Sequence, residues 1–256
     1  YYNGNVMPIN YLNWDNVAPA GSINSSIADM LNWVKMHLNN GVYNQDTLIS
    51  GKSHNEMWKP QTIQEISNWE QQMFPSTHFL TYALGWETFD YHGRKIVTHN
   101  GGLDGMISQV IMVPEEKLGF VIFTNSASSL TFVSMYYLLD MFLNEFHHDY
   151  STILLGYKEE AKKYDEKAKL DEENARVKKT KPSFELKDYA GTYVDRIYGD
   201  VVVEFRDNQL HINFLPTEIF KGTLSHWHFD VFKLNWNNPS SLPRGTVQFF
   251  MNADAE

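Results

Sequence analysis

Apolar residues recur at helical spacing between residues 27 and 40. Ser26 stands where an N-cap is expected, and Asp29 three residues later can return a hydrogen bond. The run Asn39-Asn40-Gly41 supplies residues that adopt the left-handed conformation which ends a helix. The pattern therefore predicts a helix over residues 27–40 with one apolar face. That face comprises Ile27, Met30, Leu31, Val34 and Leu38.

Between residues 81 and 126 the pattern changes to short apolar and alternating runs, which are typical of strands. Polar or glycine-containing segments at 92–94, 100–105 and 114–117 separate these runs and predict turns. The last run is almost continuously apolar, a pattern that favours burial on both faces of a sheet. The predicted strands are Thr81–Trp86, Glu87–Tyr91, Lys95–His99, Met106–Val113 and Leu118–Thr124.

Two predicted helices of opposite character follow the sheet. Residues 130–146 are strongly apolar, so we expect this helix to pack on the sheet. Residues 153–179 have high helix propensity, and the part from 158 to 179 holds eight Lys/Arg and seven Asp/Glu. Because the two signs are mixed at i,i+4 spacing, the pattern favours a solvated connecting helix over a binding surface.

Short alternating runs return after Pro182, and turn residues separate them at roughly ten-residue spacing. This spacing predicts a small β-sandwich or barrel, which can be a structural appendage or a holder of a ligand. The predicted strands are Gly191–Ile197, Asp200–Arg206, Gln209–Phe214, Trp227–Leu234 and Thr246–Met251.

The patterns together predict an α/β (α+β) chain in three parts. Residues 1–150 form an antiparallel sheet with helices, and residues 151–181 form the charged connecting helix. Residues 182–256 form a small all-β, barrel-like domain.

Composition narrows the possible functions. The chain has 21 Lys+Arg against 31 Asp+Glu, a net charge of −10, which argues against a nucleic-acid partner because few cations would release phosphate counterions. No run of ~18 apolar residues is found, so we expect no membrane-spanning helix. Cysteine is absent, which removes disulfides, thiolate metal sites and a cysteine nucleophile.

The segment Val97-Thr98-His99-Asn100-Gly101-Gly102 is the strongest candidate for chemistry. It places an imidazole at the end of a predicted strand, beside glycines that let a substrate approach the backbone closely. Backbone N–H groups in such a position can stabilise an oxyanion. Without context, a histidine before a glycine turn is more often a plain turn residue.

Several segments supply that context by their order and spacing. They resemble the C-terminal half of the serine β-lactamase family, in its class C and penicillin-binding-protein-like branch of carboxypeptidases and esterases. The resemblance covers roughly residues 1–147. The segments are Pro19–Met30, Tyr82–Trp86, His99–Gly105, Val113–Glu116 and Val121–Asn125.

The segments Tyr189–Tyr193 and Leu224–Trp227 resemble the small lipocalin-like β-domain that is often appended to such hydrolases. The resemblance thus identifies residues 1–150 as the C-terminal portion of a β-lactamase-like domain. It identifies residues 182–256 as the lipocalin-like domain.

The family uses three motifs, and this chain matches only the third. Ser-x-x-Lys holds the nucleophile, Tyr-x-Asn a second proton-transfer group, and Lys-Thr-Gly or His-x-Gly lines the far wall of the cleft. His99-Asn100-Gly101 matches the last. The resemblance implies that His99 positions substrate and tunes proton transfer, and that the N–H of Gly102 forms half of an oxyanion hole. Asn100 and Gly101 would line the substrate, and no metal or organic cofactor is needed.

The implied reaction is serine acyl transfer to water, with a β-lactam, a D-amino-acid peptide or a small ester as substrate. Such hydrolases usually work in the periplasm or outside the cell. No Ser-x-x-Lys occurs in the 256 residues, and the chain starts at Tyr1 without a signal segment. We therefore expect that the chain starts inside a larger protein and that the nucleophile lies in a missing N-terminal part of the same domain. The chain alone is expected to be inactive.

Two further features concern the ends of the chain. Tyr1-Tyr2-Asn3 has the letters of Tyr-x-Asn, but it lies only about twenty residues before Pro19, so we interpret it as coincidence. The C-terminal run Met251–Glu256 is expected to stop short of a closing strand.

The alternative function is a catalytically inactive, β-lactamase-like binding protein whose β-domain holds a ligand or partner. A Ser-x-x-Lys upstream would favour the enzyme, and its absence the binding protein.

Other candidate sites are weaker. His226 and His228 share one face of a predicted strand, and His211 and Asp230 could join them as metal ligands. Strand histidines with aromatic neighbours are more often packing residues, so we predict no metal site. His147-His148-Asp149 fits a helix C-terminus better than a ligand set. The aromatic residues Tyr82, Trp86, Trp14 and Trp69 belong either to the core or to the rim of a substrate cleft.

Overall fold

The computed structural model describes residues 7–9, 11, 13–145, 148–217, 219–238, 242 and 244–251. Tyr1-Tyr2-Asn3, His147 and the last five residues therefore lie outside the described residues. Two compact units are present: Pro8–Tyr157, called here the sheet–helix unit, and the described residues from Lys158 onward, called here the C-terminal unit.

The elements are as follows. The helices are α1 (Ala18–Gly21), α2 (Ile27–Leu38), α3 (Gly51–Met57), α4 (Asn68–Met73), α5 (Leu130–Leu143) and α6 (Tyr150–Ala175). The strands of the sheet–helix unit are β1 (Val42–Tyr43), β2 (Asp46–Thr47), β3 (Thr62–Gln64), β4 (Leu80–Tyr82), β5 (Glu87–Tyr91), β6 (Arg94–Leu103), β7 (Met106–Val113) and β8 (Leu118–Thr124). The strands of the C-terminal unit are β9 (Gly191–Tyr193), β10 (Val201–Arg206), β11 (Gln209–Phe214), β12 (Lys221–His228), β13 (Val231–Trp236) and β14 (Gly245–Gln248).

An antiparallel sheet of six strands, in the order β3-β4-β5-β6-β7-β8, is the centre of the sheet–helix unit. Successive side chains of a strand point to opposite faces, and each face has its own core. Helix α2 packs on one face, where Val34 meets Val97. Helix α5 packs on the other, where Leu139 meets Ile96. The predicted fold class of helices with an antiparallel sheet is confirmed.

Strand β6 runs further than its sequence suggests. We predicted a glycine-rich turn over Asn100–Gly105, but pairing with β7 continues to Leu103, which lies opposite Met106. Only Asp104 and Gly105 form the turn, and Gly105 has a φ of +79°. The prediction was wrong because eight residues of β7 offer partners along the whole segment, and glycine does not end a strand that is paired in this way.

The two ends of the sheet also differ from expectation. The predicted strand Thr81–Trp86 ends at Tyr82, since the chain turns back where the N–H of Ala83 donates to the carbonyl of Trp86 over 2.7 Å. Strand β8 is an edge strand with half-buried side chains, not one fully buried on both faces. Its apolar residues are explained by contacts with both α2 and α5.

Helix α2 begins as predicted and packs differently. The Ser26 hydroxyl oxygen accepts the N–H of Asp29, while the Asp29 carboxylate accepts the Ser26 hydroxyl rather than a backbone N–H. Met30 and two residues further along the predicted face pack into the core, whereas Ile27 and Leu31 are exposed. The helix also buries His37, which the apolar pattern did not include.

A buried histidine pair joins α2 to α3. The Nδ1 atom of His37 lies 3.1 Å from Nε2 of His54, and three tryptophan rings surround the pair. Burial, reinforced by His54, lowers the pKa of His37 to about 4. Burial also lowers the pKa of His54, although its hydrogen bond with His37 opposes this shift. Both imidazoles are therefore neutral near pH 7.

A buried carboxylate joins β5, α5 and α6. The Tyr91 hydroxyl donates to Oδ1 of Asp140 over 2.5 Å, and the Tyr150 hydroxyl donates to Oδ2 over 3.0 Å. Asp140 is completely buried, so these two phenols replace the water that its charge would otherwise require. The start of α6 is thereby tied to the sheet–helix unit.

The C-terminal unit is one curled antiparallel sheet in the order β14-β13-β12-β11-β10-β9. The ring of Tyr193 in β9 lies 5.4 Å from the ring of Phe249, just after β14, which brings the two edges of the sheet towards each other. The predicted strand Trp227–Leu234 was wrong, because Phe229 and Asp230 form a turn between β12 and β13. Phe229 has a positive φ of 46°, a backbone conformation that aromatic residues rarely adopt, so its sequence does not indicate a turn.

Helix α6 is 26 residues long and overlaps the predicted helix over 153–179, but it begins three residues earlier and ends four residues earlier, at Ala175. The division between the two units falls inside it. No helix in the described ranges combines the length and apolar character needed to span a bilayer.

Candidate active site

His99 lies in the second half of β6 on the face of α2, with its side chain exposed to solvent. Its Nδ1 is 2.6 Å from the carbonyl oxygen of Asn100, and its Nε2 is 3.0 Å from the hydroxyl of Tyr82. A carbonyl only accepts, so Nδ1 carries the proton and donates it. The Nε2 atom of the neutral ring is therefore left to accept the Tyr82 hydroxyl.

The two hairpins around β6 fix the direction of its backbone groups. Tyr91 faces Arg94 across one two-residue turn, and Leu103 faces Met106 across the other. Residues that close such turns exchange hydrogen bonds, and bonding then alternates along the strand. Both turns give the same phase, in which Gly102 directs its N–H and C=O away from β7.

Among the strands of the described residues, none pairs with Gly102 on that side. Strand β5 starts at Glu87, which pairs with Thr98, so β6 extends beyond the end of its neighbour. The residues from His99 to Leu103 thus form an open backbone edge, with Asn100 and Gly102 directing their N–H groups outwards. The Asn100 carbonyl on this edge is the one that accepts the imidazole of His99.

Gly101 allows β6 and β7 to approach each other here. A Cβ at this position would lie 2.4 Å from the hydroxyl oxygen of Ser108, which real Cβ atoms do not tolerate. A Cβ at Gly102 would meet only Ile107, at an ordinary 3.5 Å. The two glycines therefore differ. Gly101 makes room for the pairing of β6 with β7, whereas nothing in the space around Gly102 requires a glycine there.

Side-chain alternation separates the four predicted site residues. His99 faces α2, whereas Asn100 faces α5, where it lines a cavity of about 160 Å³. The same cavity is lined by Glu87, Gln109 and Glu70. The His99 side chain and the Asn100 side chain are thus on opposite faces, and the open backbone edge lies between them.

Burial raises the pKa of Glu87 above its ordinary value. The neighbouring carboxylate of Glu70 raises it further, and His99 opposes the shift. Burial and the same two carboxylates, together with Tyr150, raise the pKa of Tyr136. Both shifts thus have burial as their main cause, and the carboxylates that line the cavity add to it.

The aromatic candidates have different positions. Tyr82 is exposed and contacts His99, as a residue at a cleft rim would. Trp86 is not at a rim, because it is buried in the core and stacks on Trp33 with ring centroids 5.3 Å apart. Trp69 packs on Phe132. Glu87, Glu70 and Gln109 were missed, because they come from separate elements that meet only in the folded chain.

The histidines of the C-terminal unit have separate partners. Nε2 of His226 lies 3.0 Å from the Phe229 carbonyl, and Nδ1 of His228 accepts the N–H of Val177. Nδ1 of His211 is 3.2 Å from the guanidinium of Arg206. The Asp230 carboxylate accepts the N–H and hydroxyl of Ser183. Within the described part of the chain, no three His, Asp or Glu side chains are grouped as a metal site would need.

Two family models and two curated relatives each match part of this chain. A family model described as "Beta-lactamase" matches residues 2–140, and one described as "Domain of unknown function (DUF3471)" matches residues 175–256. Unguisins hydrolase ungD of Aspergillus violaceofuscus is 32% identical over 160 residues, which are 54% of this chain and 26% of that protein. Unguisins hydrolase ungD' of Aspergillus campestris is 29% identical over 119 residues, 46% of this chain and 20% of that protein. The chain thus spans about a quarter of the length of these curated relatives.

The octameric penicillin-binding protein homologue from Pyrococcus abyssi is 17% identical and has a TM-score of 0.42, covering 90% of this chain and 44% of that one. SurE is 15% identical with a TM-score of 0.36, covering 88% of this chain and 43% of that one. Because the first family model matches more than half of the 256 residues, the chain belongs to the Beta-lactamase family.

Proposed function

We propose that the whole protein hydrolyses an amide or ester through a serine acyl-enzyme, outside the cytoplasm. The substrate is a small molecule or peptide of the β-lactam, D-amino-acid peptide or ester class. No Ser-x-x-Lys occurs in these 256 residues, so residues beyond them supply the nucleophile. Membership of the family and the hydrolase names of two relatives support the reaction class.

The observation that carries the proposal is the open backbone edge at Gly102. Its N–H points away from β7 at a place where β5 has ended, so a substrate carbonyl can reach it. A tetrahedral intermediate places negative charge on that oxygen, and preorganised N–H donors stabilise the charge. The N–H of the nucleophilic serine provides the second donor. Gly102 thus acts as half of an oxyanion hole.

His99 is the second part of the proposed site. Its Nδ1 contacts the Asn100 carbonyl and its Nε2 lies 3.0 Å from the Tyr82 hydroxyl, so the imidazole is held by contacts on both nitrogens. A ring held in this way can position the substrate and exchange a proton at Nε2 as the acyl group transfers. The backbone of Asn100 and Gly101 lies beside it along the open edge, where it would line the substrate.

The test measures acylation by a chromogenic β-lactam and by an activated ester. The 256-residue chain is expected to show neither a burst nor turnover, and the longer natural protein to show both. Turnover by the chain alone would contradict the assignment of the nucleophile. An upstream sequence without Ser-x-x-Lys, together with no burst, would favour the inactive binding protein.

Variants of the longer protein test the two residues. Gly102→Pro removes the N–H, and we expect its kcat to fall about 10²–10³-fold below that of Gly102→Ala, which keeps the N–H. His99→Ala is expected to lower kcat by about 10²–10⁴-fold. His226→Ala, in the C-terminal unit, is the control. Equal rates for the Pro and Ala variants, or an unchanged rate for His99→Ala, would remove that residue from the site.

A further inference from the structure

The cavity on the α5 face of the sheet has walls of two kinds. Aromatic rings from β5, from α5 and from the residue that follows α4 line it, namely Phe89, Phe132, Tyr136 and Phe74. Carboxylates enter it from Glu70 in α4 and Glu87 at the start of β5. Its volume of about 160 Å³ is close to that of cavities which hold one ring-sized ligand. It can therefore hold a single side chain rather than a whole peptide.

Gln109 adds an acceptor to this cavity. It is only 7% exposed, and its side-chain amide is 2.6 Å from the hydroxyl oxygen of Thr98. That hydroxyl gives its proton to the carbonyl of Val110, so it must accept from Gln109, which fixes Nε2 as the donor. The Oε1 atom then faces the other way, and it has no hydrogen-bond partner among the described residues.

An amide oxygen on the cavity wall can accept a hydrogen bond from a bound ligand. The two carboxylates beside it also only accept when ionised. Ser67 occupies one oxygen of Glu70 through its N–H and hydroxyl, and no ion pair of Glu87 is found in the described residues. None of the described residues that line the cavity is Lys or Arg. The acceptors of the cavity therefore have no cationic side chain beside them that could donate hydrogen bonds.

We propose that this cavity binds a side-chain-sized organic cation, an alkylammonium or guanidinium group carried by the substrate. Carboxylates and an amide oxygen would accept its N–H groups, and the aromatic rings would contact its alkyl stem and charge. Asn100 lines the cavity and belongs to the same open edge as Gly102, so a substrate on that edge can place a side chain here. The identity of the substrate, though not the binding, rests on the proposed function.

Butylguanidinium and its neutral isostere butylurea test the proposal on the 256-residue chain by calorimetric titration near neutral pH and at physiological salt. We expect butylguanidinium to bind at least about tenfold more tightly, the gain of one charge-assisted contact. Glu87→Gln is expected to remove most of this preference. Asp46→Asn removes an equal charge from the exposed hairpin β1–β2 and is expected to retain it.

Equal affinity for the two probes would overturn the proposal, and so would an equal loss in both variants, because attraction by the overall acidic surface would then suffice. The comparison of probes on the unaltered chain does not depend on whether a variant folds. The titration needs no turnover, so failure of cation binding is distinct from failure of the proposed hydrolysis. Conversely, cation binding without any turnover by the longer protein would leave the cavity assigned and refute only the reaction.

Discussion

Gly101 controls the spacing of strands β6 and β7 beside the candidate active site. The space that its missing side chain would fill is occupied by the hydroxyl of Ser108, directly opposite in the sheet. Such a contact acts on one pair of residues, so it can be relieved by changing the partner. The neighbouring Gly102 has no such constraint, and its proposed role depends on its N–H.

We expect Gly101→Ala to lower the free energy of unfolding by about 1–3 kcal/mol, the usual effect of a methyl group inserted where there is no room for it. The second change Ser108→Gly should restore much of this loss, because it removes the atom that the new Cβ meets. Urea denaturation of the single and double variants measures the coupling. Strictly additive effects would mean that the two side chains do not conflict.

The buried pair His37 and His54 makes stability depend on pH. The pKa of His37 is about 4 in the folded chain and 6.5 in its ordinary state, so the unfolded chain binds more protons between these values. The full stability is thus present above pH 6.5 and is lost as the pH falls towards 4. At about 1.4 kcal/mol per pH unit, His37 alone would remove roughly 3 kcal/mol.

Denaturant unfolding at a series of pH values tests this prediction. The natural chain is expected to lose stability between pH 6.5 and 4 more steeply than His37→Met, which cannot bind a proton there. His54 contributes in the same direction, since its pKa is also lowered. Parallel curves for the two proteins would contradict the assignment.

Elements are joined in this molecule by a small number of buried polar contacts. The best example is Asp140 in α5, which accepts hydroxyl groups from β5 and from the first turn of α6. A charged group inside a core is stable only while it keeps its donors. The contact therefore fixes where the long α6 starts relative to the sheet.

We expect Tyr91→Phe and Tyr150→Phe each to destabilise the chain by about 1.5–3 kcal/mol, the usual contribution of a hydrogen bond to a charged group. Removal of both should exceed the sum, because the carboxylate then has neither donor. Thermal unfolding of both single variants and the double variant measures this effect. Tyr164→Phe, on an exposed position of α6, is the control and should not change stability.

Two units of different construction make up the whole molecule. One has a sheet with helices on both faces, and the other is a curled sheet with a single core around Phe232 and Leu210. The net charge of −10 belongs to the complete chain. Its charged segment from 158 to 179 is nearly neutral, because basic and acidic residues alternate there.

From this charge we expect no binding to duplex DNA at physiological salt, since association depends on cations that displace phosphate counterions. A mobility-shift titration of the 256-residue chain checks the prediction. A basic nucleic-acid-binding protein of similar size is the positive control. A shift that disappears with added salt would show a local cationic surface that the net charge conceals.

The sequence alone was sufficient for much of the fold. Periodicity located α2, apolar composition located α5 and helix propensity located α6, while alternation located β5, β7 and the meander of β10 and β11. Each of these signals depends on the residues of a single element. The order of short motifs was sufficient for the family, which the matching family model confirms. The short helices α3 and α4 were missed, since few residues repeat in them.

Only the tertiary structure decided which residues meet. The extension of β6 depends on the length of β7, and the exposure of β8 on its place at an edge. Likewise, the cavity combines residues from α4, β5, β6, β7 and α5, whose contacts span long separations in the chain. Local patterns record how one element faces a core. The open edge at Gly102 and the acceptors around Glu87 arise from where neighbouring elements end, and no single segment carries that information.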